Sequence, residues 1–168
     1  MDVMNAIKER RAVRAFSDKK IEPEKLEAIM DAGRLAPTAR NEQRCKFIAV
    51  TDEDLKIELV AACRDQNFVK EAPAILVACA DKDKTMFCGQ SSKVIDCTIA
   101  MSFMWLEAVE QGIQGCWLGL FDAEKVRKIL NIPDDYVVPV VMPIGYAAAD
   151  GQPNVKKGKE ETFVYDKM

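Results

Sequence analysis

The chain has 168 residues, about one domain's worth, and its 24 Lys and Arg stand against 27 Asp and Glu for a net charge of -3. Apart from the short run Lys156, Lys157 and Lys159, neither sign forms a block, which argues against a nucleic-acid partner. Histidine is absent and the six cysteines (Cys45, Cys63, Cys79, Cys88, Cys97 and Cys116) include no C-x-x-C pair, so zinc sets and imidazole-based catalysis are excluded.

The opening Met1-Asp2-Val3-Met4 has no basic segment leading into an apolar stretch and a small-residue cleavage site, so a cytoplasmic protein is expected. In a reducing compartment the cysteines read as mostly buried small hydrophobes. Val3 to Ile7 suggests a short helix running into Arg10, Arg11 and Arg14. Pro23 opens a second helix, with Leu26, Ile29, Met30 and Gly33 on one face, which ends before Pro37.

Phe47 to Thr51 reads as a strand, followed by Asp52 as the cap of a helix that aligns Leu55, Leu59 and Val60. Ala74 to Ala80 is apolar without alternation, as in a central strand covered on both faces. Val94 to Gly112 is a helix apolar nearly all round, with one stripe of Ile95, Ile99, Phe103 and Leu106 and another of Cys97, Met101 and Met104; it calls for burial on more than one side. A short strand follows at Gln114 to Leu118, then a helix capped by Asp122 and a strand from Val137 to Tyr146. The uncharged stretch from Val137 to Ala149 falls short of the ~20 residues of a membrane span and holds two prolines, so no membrane helix is expected. In the polar tail, Phe163, Val164 and Tyr165 return to strand-like composition, and such a strand needs a sheet edge to receive it, in a dimer the partner's.

Three segments could carry chemistry. Arg10-Arg11-Ala12-Val13-Arg14 gathers guanidinium groups suited to a phosphate, or else forms a solvated basic turn. Ala36 to Gln43 offers Thr38, Asn41 and Gln43 to the polar edge of a buried heteroaromatic ring, or is a capping loop. The glycines of Gly112 to Gly119 and of Pro143-Ile144-Gly145-Tyr146 permit close backbone approach to a flat ligand, or make tight turns; they match neither the G-x-G-x-x-G nor the G-x-x-x-x-G-K-[ST] pattern.

Taken in order, four motifs resemble the nitroreductase family of FMN flavoproteins: R-R-x-V-R-x-F at Arg10 to Phe16, A-P-[ST]-A-x-N-x-Q at Ala36 to Gln43, G-x-x-G-C-W-L-G at Gly112 to Gly119, and P-I-G-Y at Pro143 to Tyr146. The resemblance runs from about Val3 to Val164. It implies a single α+β domain over residues 1–168, with a central, mostly antiparallel sheet flanked by helices, in an intertwined homodimer that exchanges C-terminal strands. It further implies FMN between the subunits, with Arg10, Arg11, Ala12 and Arg14 at the phosphate and ribityl chain and Pro37, Thr38, Ala39 and Asn41 approaching from the partner. Pro143, Ile144 and Gly145 would lie against the isoalloxazine ring, and Lys156 or Lys157 would add charge at the phosphate.

The activity implied is transfer of reducing equivalents from NADH or NADPH through flavin N5 to a nitroaromatic, quinone or similar acceptor, with no side chain as nucleophile. A flavin-binding or redox-sensing module, or a flavoenzyme fed by a protein electron donor, are the alternatives. The sequence departs from the family at Ala12, where Ser is frequent, at Arg44-Cys45, where Pro-Trp is frequent, and in a tail that offers lysine for arginine. The short Asp81 to Gln90 connection leaves little chain for a lid, so an open site accepting flat, electron-poor molecules is expected.

Overall fold

The computed structural model describes residues 1–81, 84–151 and 155–168. Helix α1 (Val3–Glu9) starts where the Asp2 carboxylate accepts the Asn5 amide at 2.9 Å. Helix α2 (Pro23–Leu35) uses proline at its first position, where no amide is needed, and stops as Ala36 turns extended ahead of Pro37. The chain continues through β1 (Cys45–Val50), α3 (Glu53–Ala62), α4 (Phe68–Glu71), β2 (Ala74–Asp81) and α5 (Ser92–Glu110). It ends with β3 (Gln114–Gly115), α6 (Ala123–Ile129), β4 (Tyr136–Gly145) and α7 (Lys159–Thr162). Asp52, Ser91 and Asp122 cap α3, α5 and α6 through side-chain oxygens.

The sheet order is β1-β2-β4-β3 and each pairing is antiparallel, as expected. The unbroken apolar run of β2 is explained by its central place. Leu76, Ala78 and Ala80 point into a core shared with α2 and α5, while Ile75, Val77 and Cys79 point into a second core with α3 and α6. In β4 the alternation is broken once. Ala78 faces Val140 but Ala80 faces Val137, so Val138 and Pro139 together oppose Cys79 in a bulge. Proline has no amide to give the ladder and fits such a place, and the extra residue lets Val138 and Val141 enter one core while Val140, Met142 and Ile144 enter the other.

Two outcomes differ from the sequence reading, and two further features concern apolar surface that one chain leaves open. Strand β1 begins at Cys45, because Cys45 and Lys46 continue the pairing with Ala80 and Cys79. The strand expected over Gln114 to Leu118 shrinks to β3 plus a single bridge from Leu118 to Val141. Helix α5 buries Cys97, Met101 and Met104 completely, yet Phe103 on its other stripe stays 43% exposed beside Val3 of α1, which is 72% exposed. Among the described residues this side of α5 is only partly covered, and the groove between these helices holds about 400 Å³. Phe163, Val164 and Tyr165 belong to no strand among the described residues and are exposed.

Lys82 and Asp83, part of the connection read as too short for a lid, lie outside the described residues. The rest of that connection closes on itself, with Thr85 bridged to Ser91 and the Met86 amide donating to the Gln90 carbonyl at 2.8 Å. None of the described helices is long and apolar enough to cross a membrane.

Candidate functional site

Three of the four sequence motifs meet at one edge of the sheet. The segment after α1 runs alongside β3: Ala12 forms a parallel bridge with Gly115, the Val13 amide donates to the Gly115 carbonyl at 2.9 Å, and the Arg11 amide donates to Gln114 Oε1 at 2.9 Å. Gly115 itself pairs with Ile144, and the Cys116 amide donates to the Pro143 carbonyl at 3.0 Å. The chain beyond β4 doubles back on the arginine segment, the Ala148 amide donating to the Ala15 carbonyl at 2.9 Å. A Cβ on Gly151 would stand 2.7 Å from Arg11 Cβ, so the start of the lysine tail is packed against the arginines. The pairings of the arginine segment with Gln114, Gly115 and Ala148 join positions more than 100 residues apart.

Each expected site residue can now be placed. Arg10 is half-buried with its guanidinium 4.4 Å from the Trp105 ring centroid, a cation–π contact. Arg11 turns inward and donates to the Lys8 and Arg10 carbonyls. Arg14, Lys156 and Lys157 are exposed and make no hydrogen bond or ion pair among the described residues. Pro143, Ile144 and Gly145 are buried one strand in from the edge, and the space in front of Gly145 is filled by Pro73, whose Cδ would lie 2.4 Å from an added Cβ. Gln152, Pro153 and Asn154, which join Gly151 to the tail lysines, are outside the described residues.

The fourth motif lies elsewhere. Pro37 and Asn41 are exposed, Thr38 and Ala39 half-buried, and the Thr38 hydroxyl accepts the Gln43 amide at 3.1 Å. Arg40, Asn41 and Gln43 all adopt left-handed backbone, with φ of 55°, 55° and 52°. The loop is held by the Ala39 amide, which donates to Asp96 Oδ1 at 2.9 Å near the start of α5. Asp96 and Trp105 are about 14 Å apart along the helix axis and about half a turn apart around it. Within the chain, then, the loop and the arginines sit on different sides of α5.

Sequence reasoning missed four residues here. Asp96 is 2% exposed and its Oδ2 has no partner among the described residues. Lys93, 1% exposed, reaches Glu42 Oε2 at 3.3 Å, and that oxygen also takes Arg44 Nε at 3.0 Å. Lys93, followed by Arg44, holds the Glu42 carboxyl below its ordinary range. Ionisable residues on an otherwise apolar helix were the signal for Lys93 and Asp96. Trp105, whose Nε1 is buried without a partner among the described residues, and Gln114 gave no local signal.

Beside Arg10, a cavity of about 230 Å³ is bounded by Ile7, Ser102, Trp105, Leu106 and Trp117. Flat cofactors generally occupy pockets of roughly 300–1,000 Å³, so this hollow by itself is too small to hold one. A larger cavity, about 560 Å³, lies near Pro73 and the start of α2. Its Lys20, Lys56 and Lys70 are offset by Asp18, Glu53 and Glu71, and no arginine lines it, so it has no net charge with which to select an anion. Of the two, the first cavity has the donor suited to a phosphate-bearing group, since Arg10 lies over Trp105 and has no acidic partner among the described residues.

Tyr146, which ends the P-I-G-Y motif, is committed to structure. Its hydroxyl donates to Glu22 Oε2 at 2.5 Å and accepts from Lys25 Nζ at 2.9 Å, with Lys19 Nζ 4.0 Å from the ring centroid. The Tyr146 hydrogen bond, assisted by a backbone bond and Lys19, lowers the Glu22 carboxyl from 4.5 to about 2. A depressed carboxylate stabilises the fold above its unfolded value and ceases to do so as pH falls through the folded one. Glu22→Gln should therefore lower the urea midpoint at pH 7, and the gap from wild type should close between pH 4.5 and 2. A gap constant across that range would show that the bond is not formed.

The description "Nitroreductase family" belongs to the family profile that matches residues 7–91 and 64–146. A protein of Archaeoglobus fulgidus provisionally named NADH dehydrogenase/NAD(P)H nitroreductase is 34% identical over 149 residues, covering 86% of this chain and 85% of its own. The FMN reductase (NADPH) of Bacillus subtilis is 23% identical over 177 residues, covering 95% and 69%. Among solved structures, an FMN-dependent nitroreductase of Clostridium difficile R20291 superimposes with a TM-score of 0.86 at 26% identity, over 98% of this chain and 99% of the other.

Proposed function

The chain belongs to the nitroreductase family, and on that footing we propose that it is an FMN-dependent oxidoreductase passing reducing equivalents from NADH or NADPH to a nitroaromatic, quinone or similar electron-poor acceptor. The observation that carries this reading is the positive charge of Arg14, Lys156 and Lys157, unpaired among the described residues, in a chain whose start and tail are packed together at Arg11 and Gly151. A phosphate monoester bears nearly two negative charges at neutral pH and is the natural counter-ion for such a set.

In this reading Arg10 and Arg14 hold the phosphate and ribityl chain, with Arg11 and Ala12 supplying backbone beside them and Lys156 or Lys157 closing the charge. Pro143, Ile144 and Gly145 fix the strand on which the ring end rests. Pro37, Thr38, Ala39 and Asn41 come from a second copy of the chain. The homodimer is supported by the uncovered stripe of α5 beside α1, by the separation of the loop from the arginines, and by the small size of the cavity at Trp105. Bound FMN would supply hydride acceptance at N5, which no amino-acid side chain provides. The protein's own part is to neutralise the phosphate, orient the ring and set the polarity around it.

Mixing the purified yellow protein with NADH or NADPH in the absence of oxygen tests this directly. Prompt bleaching of the flavin band and its return on adding a nitroaromatic or quinone are expected. Colour that persists with both donors would overturn the reading in favour of a flavin-binding module or a protein electron donor.

A further inference from the structure

We propose that Cys45 and Cys97 form a reversible disulfide site, closed by hydrogen peroxide, that links the entrance of β1 to α5. The two sulfurs are already in contact, Cys97 Sγ donating to Cys45 Sγ at 3.6 Å. A disulfide bond is about 2.05 Å long, so closure requires an approach of roughly 1.5 Å. That movement falls to Cys45. Cys97 is fully buried in the middle of the core on α5, whereas Cys45 is half-buried at the first residue of an edge strand. An edge strand has a ladder partner on one side only, so its first residue is the more easily displaced of the two.

The two thiols are also chemically unequal. The hydrogen bond received from Cys97 holds the Cys45 thiol below its ordinary value, with a smaller contribution from Lys93 and against opposition from partial burial and Asp96. The same bond, reinforced by burial, pushes the Cys97 thiol up. Cys45 thus bears the nucleophilic sulfur and Cys97 keeps its proton. Cys45 thiolate attacks the peroxide O–O bond, giving a sulfenic acid and hydroxide. Cys97 then displaces the sulfenic oxygen as water, its proton and that of the first step both ending in water. The net reaction oxidises two thiols to one disulfide and reduces one peroxide to two waters. A dithiol reductant returns two electrons and two protons and reopens the bond.

The other cysteines make the assignment selective. Cys63 and Cys79 are buried and raised to about 11 by loss of solvent, and Cys116 is raised by the same cause. Cys88 is exposed and has no sulfur partner among the described residues, so it serves as an accessible reference and is removed where links between chains would confuse the result.

The test takes the full-length Cys88→Ser protein, with FMN supplied, through brief hydrogen peroxide treatment, catalase, denaturation and alkylation, with peptide mass as the readout. Of the six cysteines less Cys88, alkylated thiols should fall from five to three per chain, with a Cys45–Cys97 linked peptide that disappears on dithiothreitol treatment. Cys97→Ala should instead yield a Cys45 sulfenic acid captured by dimedone. If that variant fails to fold, Cys45→Ala should leave Cys97 unoxidised. A link through Cys79, a Cys45 sulfinic acid with Cys97 still alkylated, or oxidation in wild type confined to Cys88 would each overturn the proposal. Because mass reads the link without reference to colour, its failure leaves the flavin reading intact and the converse holds as well.

Discussion

Arg14→Ala should bind FMN roughly ten- to 150-fold more weakly than the parent protein, the equivalent of the ~1.5–3 kcal/mol carried by a hydrogen bond to a charged group. Arg14 is the arginine of the cluster whose guanidinium is exposed and, among the described residues, uncommitted to any acid, so its loss removes ligand contact without exposing a buried partner. Arg10→Ala should weaken binding as well, but it also strips a cation from the face of Trp105 and so alters the cavity wall. Quenching of FMN fluorescence during titration of the apoprotein measures both. Affinity unchanged in both variants would remove the phosphate from this end of the chain.

Gly145→Ala should destabilise the fold by about 1–3 kcal/mol or more, the usual cost of forcing extra volume into a packed core. The added methyl would meet Pro73 at 2.4 and 2.8 Å and Phe16 at 3.0 Å, and a proline ring has little freedom to retreat. For a chain this size that corresponds to a melting temperature lower by roughly 2–12 °C. Gly119→Ala is the matched control, since nothing lies within 4 Å of its added Cβ and its backbone is not left-handed. It should be neutral, or more stable by up to about 1 kcal/mol through the unfolded chain. Equal melting temperatures for the two variants would show that the Gly145 contact relaxes freely. Since Phe16 closes the arginine segment, Gly145→Ala should also loosen FMN, which the same fluorescence titration detects.

Much of this was legible in the residues. The helix caps at Asp52 and Asp122 are local hydrogen-bond chemistry and were readable beside the apolar residues that follow them, whereas the caps at Asp2 and Ser91 emerged only in the structure. The even burial of β2 followed from its lack of alternation. What local pattern could not give was pairing. Whether Cys45 and Lys46 extend β1, and whether Cys116 to Leu118 continue β3, depends on the strands opposite them, which lie far away in sequence. The arginine cluster was recognisable as a cation source, but its union with Gly115 and Gly151 is a product of topology. Asp96 and Lys93 drew no reading from the sequence, because the loop residues they hold, Ala39 and Glu42, lie 57 and 51 positions away.

The doubled position in β4 has a consequence for how the protein tolerates change. Val138 and Pro139 share one neighbour, so the strand is divided into two stretches whose inward and outward positions are out of phase. The stretch from Val140 onward is set by its own ladder to Ala74 and by β3, independently of how Tyr136 and Val137 meet Asp81 and Ala80. Lengthening or shortening of the turn after α6 can be absorbed at that slack point. Such variation stops there, and Ile144 and Gly145 keep their alignment with the edge where the cationic groups gather.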